Sequence, residues 1–136
     1  MATLDGRRIK DATFIDASAA LPTADGPVYS ADIDLEITGY KGENYELEIT
    51  IPSLSAVELP NADTLTCNIV AGASANPTTV ILGSVLVVTG NGSASAAVTD
   101  TVRLPSDTPR YVRVQFVAAG GTGDISGKDA TVSLLF

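Results

Sequence analysis

The chain has 136 residues, with 8 Lys plus Arg against 16 Asp plus Glu, no His, no Trp and one Cys. Without His there is no Ser-His-Asp or Cys-His nucleophile pair and no His-ligated zinc or haem, so most hydrolase and metalloenzyme classes are excluded. The formal charge of −8 argues against binding to nucleic acid or to an acidic membrane, because neutralising phosphates needs clustered Lys and Arg. We expect a non-enzymatic protein without cofactor or metal.

The first 30 residues have a composition unlike that of the rest of the chain. Small residues and prolines, including Ala17, Ala19, Ala20, Pro22 and Pro27, make this segment a poor strand. The chain therefore divides into an extended N-terminal arm at residues 1–30 and one domain at residues 31–136. No apolar segment follows the charged N-terminal residues, so we expect no signal peptide.

The remainder of the chain has the pattern of β-strands. Val, Ile and Thr supply 37 of the 136 residues, and these types favour the pleated surface of a strand. Apolar and polar residues alternate with a period of two, whereas no segment shows a helical period. Together with weaker segments near Thr13, Leu65 and Val98, about eight strands are predicted, the clearest at residues 33–37, 45–51, 80–88, 112–116 and 131–136.

The spacing of these strands favours a sandwich of two sheets. Strand starts are too far apart for tight hairpins alone, so several connections must be long or cross between sheets. The predicted fold is an all-β jelly-roll sandwich of about eight strands. An immunoglobulin-like sandwich is the alternative, but its Cys, Trp, Cys pattern is absent. Cys67 alternates in phase with Leu65 and Ile69, which predicts that it is a small, buried apolar residue.

Acidic residues are concentrated in the middle of the chain. Residues 11–100 hold 12 acids and one base, for a net charge of −11, while the bases gather toward the two ends. If the strands at 33–37 and 45–51 are neighbours, four carboxylates share one face: Asp34, Glu36, Glu46 and Glu48. Such a face binds a basic partner or a cation, or it is simply solvated and screened by salt.

A glycine-rich segment at residues 120–128 superficially suggests a phosphate-binding loop. The Walker pattern needs Gly five positions before Gly127 and Ser or Thr after Lys128, but the chain has Thr122 and Asp129 there. A strand-like segment follows, where the motif requires a helix. We therefore predict a mobile loop between the last two strands.

Four segments resemble a family of bacteriophage proteins. They are residues 43–52 (ENYELEITIP), 59–66 (LPNADTLT), 103–113 (RLPSDTPRYVR) and 130–136 (ATVSLLF). The first two segments resemble small structural proteins of tailed bacteriophages. The last two, with the glycine-rich segment between them, resemble the C-terminal half of the capsid cement, or decoration, proteins of the Bordetella-phage type. The resemblance covers residues 30–136 and includes no catalytic motif.

The resemblance implies a jelly-roll subunit, often a homotrimer, on the outer surface of the phage head. Made in the host cytoplasm, it would tie neighbouring major capsid proteins together and would bind neither nucleic acid nor membrane. Four cations are candidate contacts to capsid carboxylates: Arg7, Arg8, Arg103 and Arg110. The alternative function is a carbohydrate-binding sandwich of a tail fibre or bacterial surface protein, which the sparse aromatics disfavour.

Overall fold

A computed structural model describes residues 10–35 and 45–135. The described residues form nine strands and no helix, and therefore include no helix long and apolar enough to cross a membrane. The strands are β1 (Lys10–Ala20), β2 (Gly26–Tyr29), β3 (Ile33–Asp34), β4 (Glu46–Ile51), β5 (Thr64–Gly72), β6 (Val80–Thr89), β7 (Val98–Arg103), β8 (Tyr111–Ala119) and β9 (Asp129–Leu135).

Two antiparallel sheets form a sandwich. The four-stranded sheet has the order β1-β9-β4-β7, and the five-stranded sheet has the order β2-β8-β5-β6, with the short β3 also paired to β8. Consecutive strands repeatedly alternate between the sheets, which is the jelly-roll topology. The predicted jelly roll is therefore confirmed, with nine strands where about eight were expected.

The core lies between the two sheets and follows from the alternation. On β4 every second side chain is buried, namely Leu47, Ile49 and Ile51. On β8 the largest of these inward side chains, Phe116, is fully buried directly opposite Cys67 of β5. The predicted burial of Cys67 is thus confirmed, and burial raises the pKa of its thiol to about 12.

The N-terminal segment differs from the predicted arm. Residues 10–20 form an edge strand on β9, and residues 26–29 pair with β8, so both contribute to the sandwich. The composition predicted an extended arm and not strands. Pairing at a sheet edge nevertheless satisfies the backbone hydrogen-bonding groups, even where the side chains are small. Residues 1–9 lie outside the described residues.

The prediction that Asp34 shares one face with Glu46 and Glu48 is wrong. Asp34 belongs to β3 of the five-stranded sheet, whereas Glu46 and Glu48 lie on β4 of the other sheet. The two strands are therefore not neighbours, and Asp34 instead forms an ion pair with Arg110. Glu36 lies outside the described residues.

The glycine-rich segment connects β8 to β9, as predicted, and Asp25 anchors its beginning. The Asp25 carboxylate accepts hydrogen bonds from the backbone N–H of Thr122 at 2.9 Å and of Gly121 at 3.0 Å. These donors, above all Thr122, hold the pKa of Asp25 below its ordinary value. The loop therefore uses its amides to bind a carboxylate of its own chain.

Asp25→Asn is expected to remove an acid-sensitive part of the stability. Because the pKa of Asp25 is lower in the folded state, its contribution is complete above the ordinary pKa of aspartate. That contribution is lost as pH falls through the lower folded pKa. Urea unfolding between pH 7 and pH 2 should show wild type more stable at neutrality and the two proteins converging in acid. Parallel curves would contradict this role of Asp25.

Candidate functional site

Of the four cations predicted from sequence to contact a partner, the structure describes two, Arg103 and Arg110. Arg103 is exposed at the end of β7, opposite Glu46 in the four-stranded sheet. Arg110 lies just before β8, and its Nε and Nη2 donate to the two oxygens of Asp34 at 2.7 and 2.8 Å. Arg110 is therefore already engaged within the chain, while Arg7 and Arg8 lie outside the described residues.

A row of hydrogen-bonded polar groups crosses the outer face of the five-stranded sheet. Gln115 Nε2 donates to Tyr29 Oη at 3.1 Å, and Asn68 Nδ2 donates to Gln115 Oε1 at 2.8 Å. The backbone N–H of Ser84 donates to Asn68 Oδ1 at 2.7 Å. These four residues, which we call the polar row, come from β2, β8, β5 and β6, so the row spans the width of the sheet.

The polar row keeps unused hydrogen-bonding capacity. Each side-chain amide has two N–H donors and an oxygen with two lone pairs, and a hydroxyl both donates and accepts. The bonds along the row use one N–H and one oxygen lone pair of Asn68, and the same of Gln115. Both amides are half-buried, and Ser84 is exposed. A ligand lying on this face would meet alternating donors and acceptors.

Ser84 owes its position in the row to an irregularity in β6. The pairing of β5 with β6 shifts register between Cys67 and Ile69, and Ser84 has a φ of 52°. An extra residue in one strand of an antiparallel pair turns its backbone away from the ladder. The freed N–H of Ser84 then meets Asn68. Gly83 and Ser84 interrupt the apolar run at residues 80–88 of the sequence. This interruption therefore provides the N–H that completes the polar row.

Arg113 closes one end of this face. Its Nε donates to the carbonyl of Pro77 at 2.8 Å, and its guanidinium lies 3.9 Å from the centre of the Tyr29 ring. Asp32 also lies nearby, with Oδ1 3.8 Å from the same Nε. The β5–β6 loop is thereby held over the sheet, and Val70 is fully buried although it points away from the core.

Arg113→Ala is expected to lower the free energy of unfolding by about 2 kcal/mol, because it removes a charged hydrogen bond and an arginine–aromatic contact. The matched control is Arg110→Ala, whose ion pair with Asp34 is more than one-third exposed on the arginine side. Solvent screening limits the loss from this ion pair to roughly 0.5 kcal/mol. The Arg110 guanidinium also lies over the Tyr111 ring, but at 5.2 Å, farther than the 3.9 Å between Arg113 and the Tyr29 ring. Equal losses in urea unfolding would contradict the assignment.

Apolar groups flank the polar row. Val87 and Val80 of β6 are 45% and 46% exposed, unusually high for large hydrophobic side chains. Pro27 of β2 is also exposed, and its register partner Val117 is half-buried. The face is thus a sheet surface with apolar flanks, an arginine and a tyrosine, and such a mixture is typical of protein–protein contacts.

Metal binding and acid–base catalysis each need a particular set of side chains close together. Within residues 10–35 and 45–135, no group of three or more His, Cys, Asp or Glu side chains is arranged to hold a metal ion. A cavity of about 350 Å³ is lined by Ile81, Pro105, Asp107, Thr108 and Pro109. It contains one ionisable side chain, Asp107, and therefore has no acid–base pair.

Comparison with known proteins gives a weak structural likeness. No protein-family model matches the chain, and no curated protein matches it. A solved structure described as "CBM4 structure and function" is 17% identical over 81% of this chain and 67% of its own, with a TM-score of 0.37. The CBM27-1 module of Caldicellulosiruptor saccharolyticus, solved with mannohexaose, is 13% identical over 87% of this chain and 70% of its own, with a TM-score of 0.40.

Proposed function

We propose that the chain is a non-enzymatic structural protein of a phage head. In this role it is a cement protein that binds the outer surface of the capsid as a homotrimer and stabilises the lattice of the major capsid protein. It is made in the host cytoplasm and works without cofactor. The proposal combines the resemblance of four segments to tailed-phage structural proteins, the last two of them to cement proteins, with the surface of the five-stranded sheet.

The segments that carry the resemblance contain parts of both sheets and two connections, at residues 59–63 and 104–110. The first segment contains β4 and the fourth contains most of β9, and these two strands are adjacent in the four-stranded sheet. The second segment ends in the first residues of β5, and the third ends in the first residues of β8. The resemblance therefore concerns the strands that organise both sheets. Its support for a shared jelly roll is accordingly stronger than its support for any particular contact residue.

The single observation that carries the proposal is the outer face of the five-stranded sheet. Exposed valines beside a hydrogen-bonded polar row offer apolar area and directional contacts together, as protein interfaces do. A protein that binds only the assembled lattice stabilises that lattice by linkage. The acidic character of the chain suits a position outside the shell, away from the genome.

A binding assay tests this proposal. Purified chain is mixed with expanded heads and with unexpanded precursor heads of the same phage, and both are sedimented. We expect saturable binding to expanded heads, and weaker binding for Val87→Asp, which places a charge on the docking face. Binding that does not saturate, or that Val87→Asp leaves unchanged, would contradict docking through this face.

Carbohydrate binding is the second candidate function, and the polar row is the observation that favours it. Sugar hydroxyls donate and accept at neighbouring positions, and the free groups of Asn68 and Gln115 match that pattern. Against it, Arg113 lies over the ring of Tyr29, so this ring is not an open stacking platform. The test is calorimetric titration with neutral hexasaccharides. Saturable binding that Gln115→Ala abolishes would favour this function over cement.

A further inference from the structure

The loop between β6 and β7 contains an exposed Asn-Gly pair, Asn91 and Gly92. Residues 91–94 are all exposed, whereas Gly90 immediately before them is buried. Asparagine followed by glycine is common in tight turns. Glycine also has no Cβ that would hinder the approach of its nitrogen to the preceding side-chain amide. The pair is therefore a candidate for attack of a backbone nitrogen on the side chain next to it.

Backbone hydrogen bonds hold both ends of this exposed span. At its start, the Gly90 N–H donates to the Asp63 carbonyl, and the Gly90 carbonyl accepts from the Ala62 N–H, both at 2.9 Å. At its end, the Ser95 N–H donates to the Leu54 carbonyl at 2.8 Å. The span between these anchors therefore has a defined conformation and is still open to water.

Ser93 orients the side chain of Asn91. The Oδ1 atom of Asn91 accepts a hydrogen bond from the backbone N–H of Ser93 at 3.1 Å and another from the Ser93 hydroxyl at 2.9 Å. Two donors on one carbonyl oxygen polarise the amide, and they bind that oxygen more strongly once it becomes negative. The two donors are thus arranged as an oxyanion hole for attack at Cγ of Asn91.

The attacking nitrogen is that of Gly92. Within residues 10–35 and 45–135, no group accepts a hydrogen bond from the Gly92 N–H. This nitrogen and Cγ of Asn91 belong to one short stretch of chain, so closing a five-membered ring needs only rotations within Asn91. The φ of Gly92 is 83°, a value that glycine adopts without strain. Electrophile, nucleophile and oxyanion donors are therefore next to one another in this loop.

The other asparagines in the described part of the chain lack this arrangement. Asn76 precedes Pro77, whose nitrogen carries no hydrogen. Asn61 is exposed, but the N–H of Ala62 after it donates to a backbone carbonyl at 2.9 Å. Asn68 is half-buried in β5, and its amide takes part in the polar row. These three asparagines serve as controls within the same chain.

We propose that Asn91 is a site of spontaneous covalent modification. The Gly92 nitrogen forms a bond to Cγ of Asn91, the bond from Cγ to Nδ2 breaks, and the amide leaves as ammonia with the proton from Gly92. Water then opens the cyclic imide at either of its carbonyls, which gives aspartate or isoaspartate. Water is the only co-reactant, so the inference is independent of the proposed function.

The modification changes the loop in two ways. Each conversion adds one negative charge, because a carboxylate replaces the neutral amide. The isoaspartate product also places Cβ of residue 91 in the main chain, which lengthens the span between the anchors at Gly90 and Ser95. The loop of an old molecule should therefore differ in charge and in backbone from that of a new one.

Incubation of the whole folded chain in water labelled with heavy oxygen, followed by peptide mapping with mass spectrometry, tests the proposal. The peptide that contains Asn91 should gain one heavy oxygen atom and separate into aspartate and isoaspartate forms. Peptides that contain Asn61, Asn68 and Asn76 should stay unchanged over the same period. An unlabelled Asn91, or labelling of Asn61 at the same rate, would overturn the inference.

Ser93→Ala measures what the folded structure adds to the Asn-Gly sequence. The variant lacks one of the two donors to the developing negative oxygen, so labelling of the folded chain should be about tenfold slower. In urea, where the loop is unfolded, Ser93→Ala and wild type should be labelled at equal rates. The matched control is Ser126→Ala, since the Ser126 N–H and hydroxyl donate to Asp124 Oδ1 in the same way, far from Asn91 in sequence. This control should be labelled at Asn91 like wild type, and labelling of folded Ser93→Ala as fast as wild type would contradict the oxyanion hole.

Discussion

Replacing Phe116 by Ala is expected to lower the free energy of unfolding by about 4 kcal/mol, as large-to-small substitutions at fully packed positions do. Phe116 is completely buried near the middle of β8 and fills the space between the two sheets. Removing its ring loses apolar burial and leaves a cavity that neighbouring strands, fixed by their ladders, cannot close. Urea unfolding followed by circular dichroism measures the change.

The adjacent Val117 supplies the control for Phe116. Val117 points to the outer face and is half-buried, so Val117→Ala should cost roughly 1 kcal/mol. Reaction of Cys67 with a thiol reagent gives a second measurement, because this thiol is buried with a pKa of about 12 and lies opposite Phe116. Faster labelling should accompany Phe116→Ala only. Equal losses for both substitutions would contradict the assigned core.

Gly90→Ala is expected to lower the free energy of unfolding by about 3 kcal/mol, because it forces overlap in a closely packed region. A Cβ at Gly90 would overlap the carbonyl oxygen of Pro60 and come within 2.7 Å of its carbonyl carbon. Both partners are backbone, so neither can rotate away. The Gly90 N–H also donates to the Asp63 carbonyl at 2.9 Å, and any shift of the chain weakens this bond.

Gly127 is the matched glycine for this comparison. A Cβ at Gly127 would meet nothing within 4 Å, and the residue is exposed. Gly127→Ala should therefore change stability by less than roughly 0.5 kcal/mol. A Gly90→Ala protein as stable as Gly127→Ala would show that the β4–β5 and β6–β7 connections are not packed as described.

The strands could be predicted because alternation is a local property. The odd positions from Tyr45 to Ile51 are apolar, and burial of Leu47, Ile49 and Ile51 follows directly from the period of a strand. Sheet membership is not local, since the strand at residue 33 and the strand at residue 46 are close in sequence and lie in different sheets. The expected acidic face failed for that reason.

The polar row was missed because it depends on which strands are neighbours and on which residues lie opposite each other. Asn68 and Gln115 are separated by 47 positions and meet only because β5 and β8 pair with those residues opposite each other. A sequence signal existed, since both are amides at the outward positions of strands whose inward positions are apolar. Nothing in the sequence indicated that the two strands are neighbours. The ion pair between Arg110 and Asp34 was equally invisible in the sequence. That Arg110 contacts a partner stays a prediction.

The most direct test of the central claim is electron cryomicroscopy of particles from the phage that encodes this chain. The account predicts density for the jelly roll at regular lattice positions on the outside of the head, with the polar row and Val87 facing the major capsid protein. Finding the chain only in the tail, or absent from the particles, would contradict the proposal that it is a cement protein.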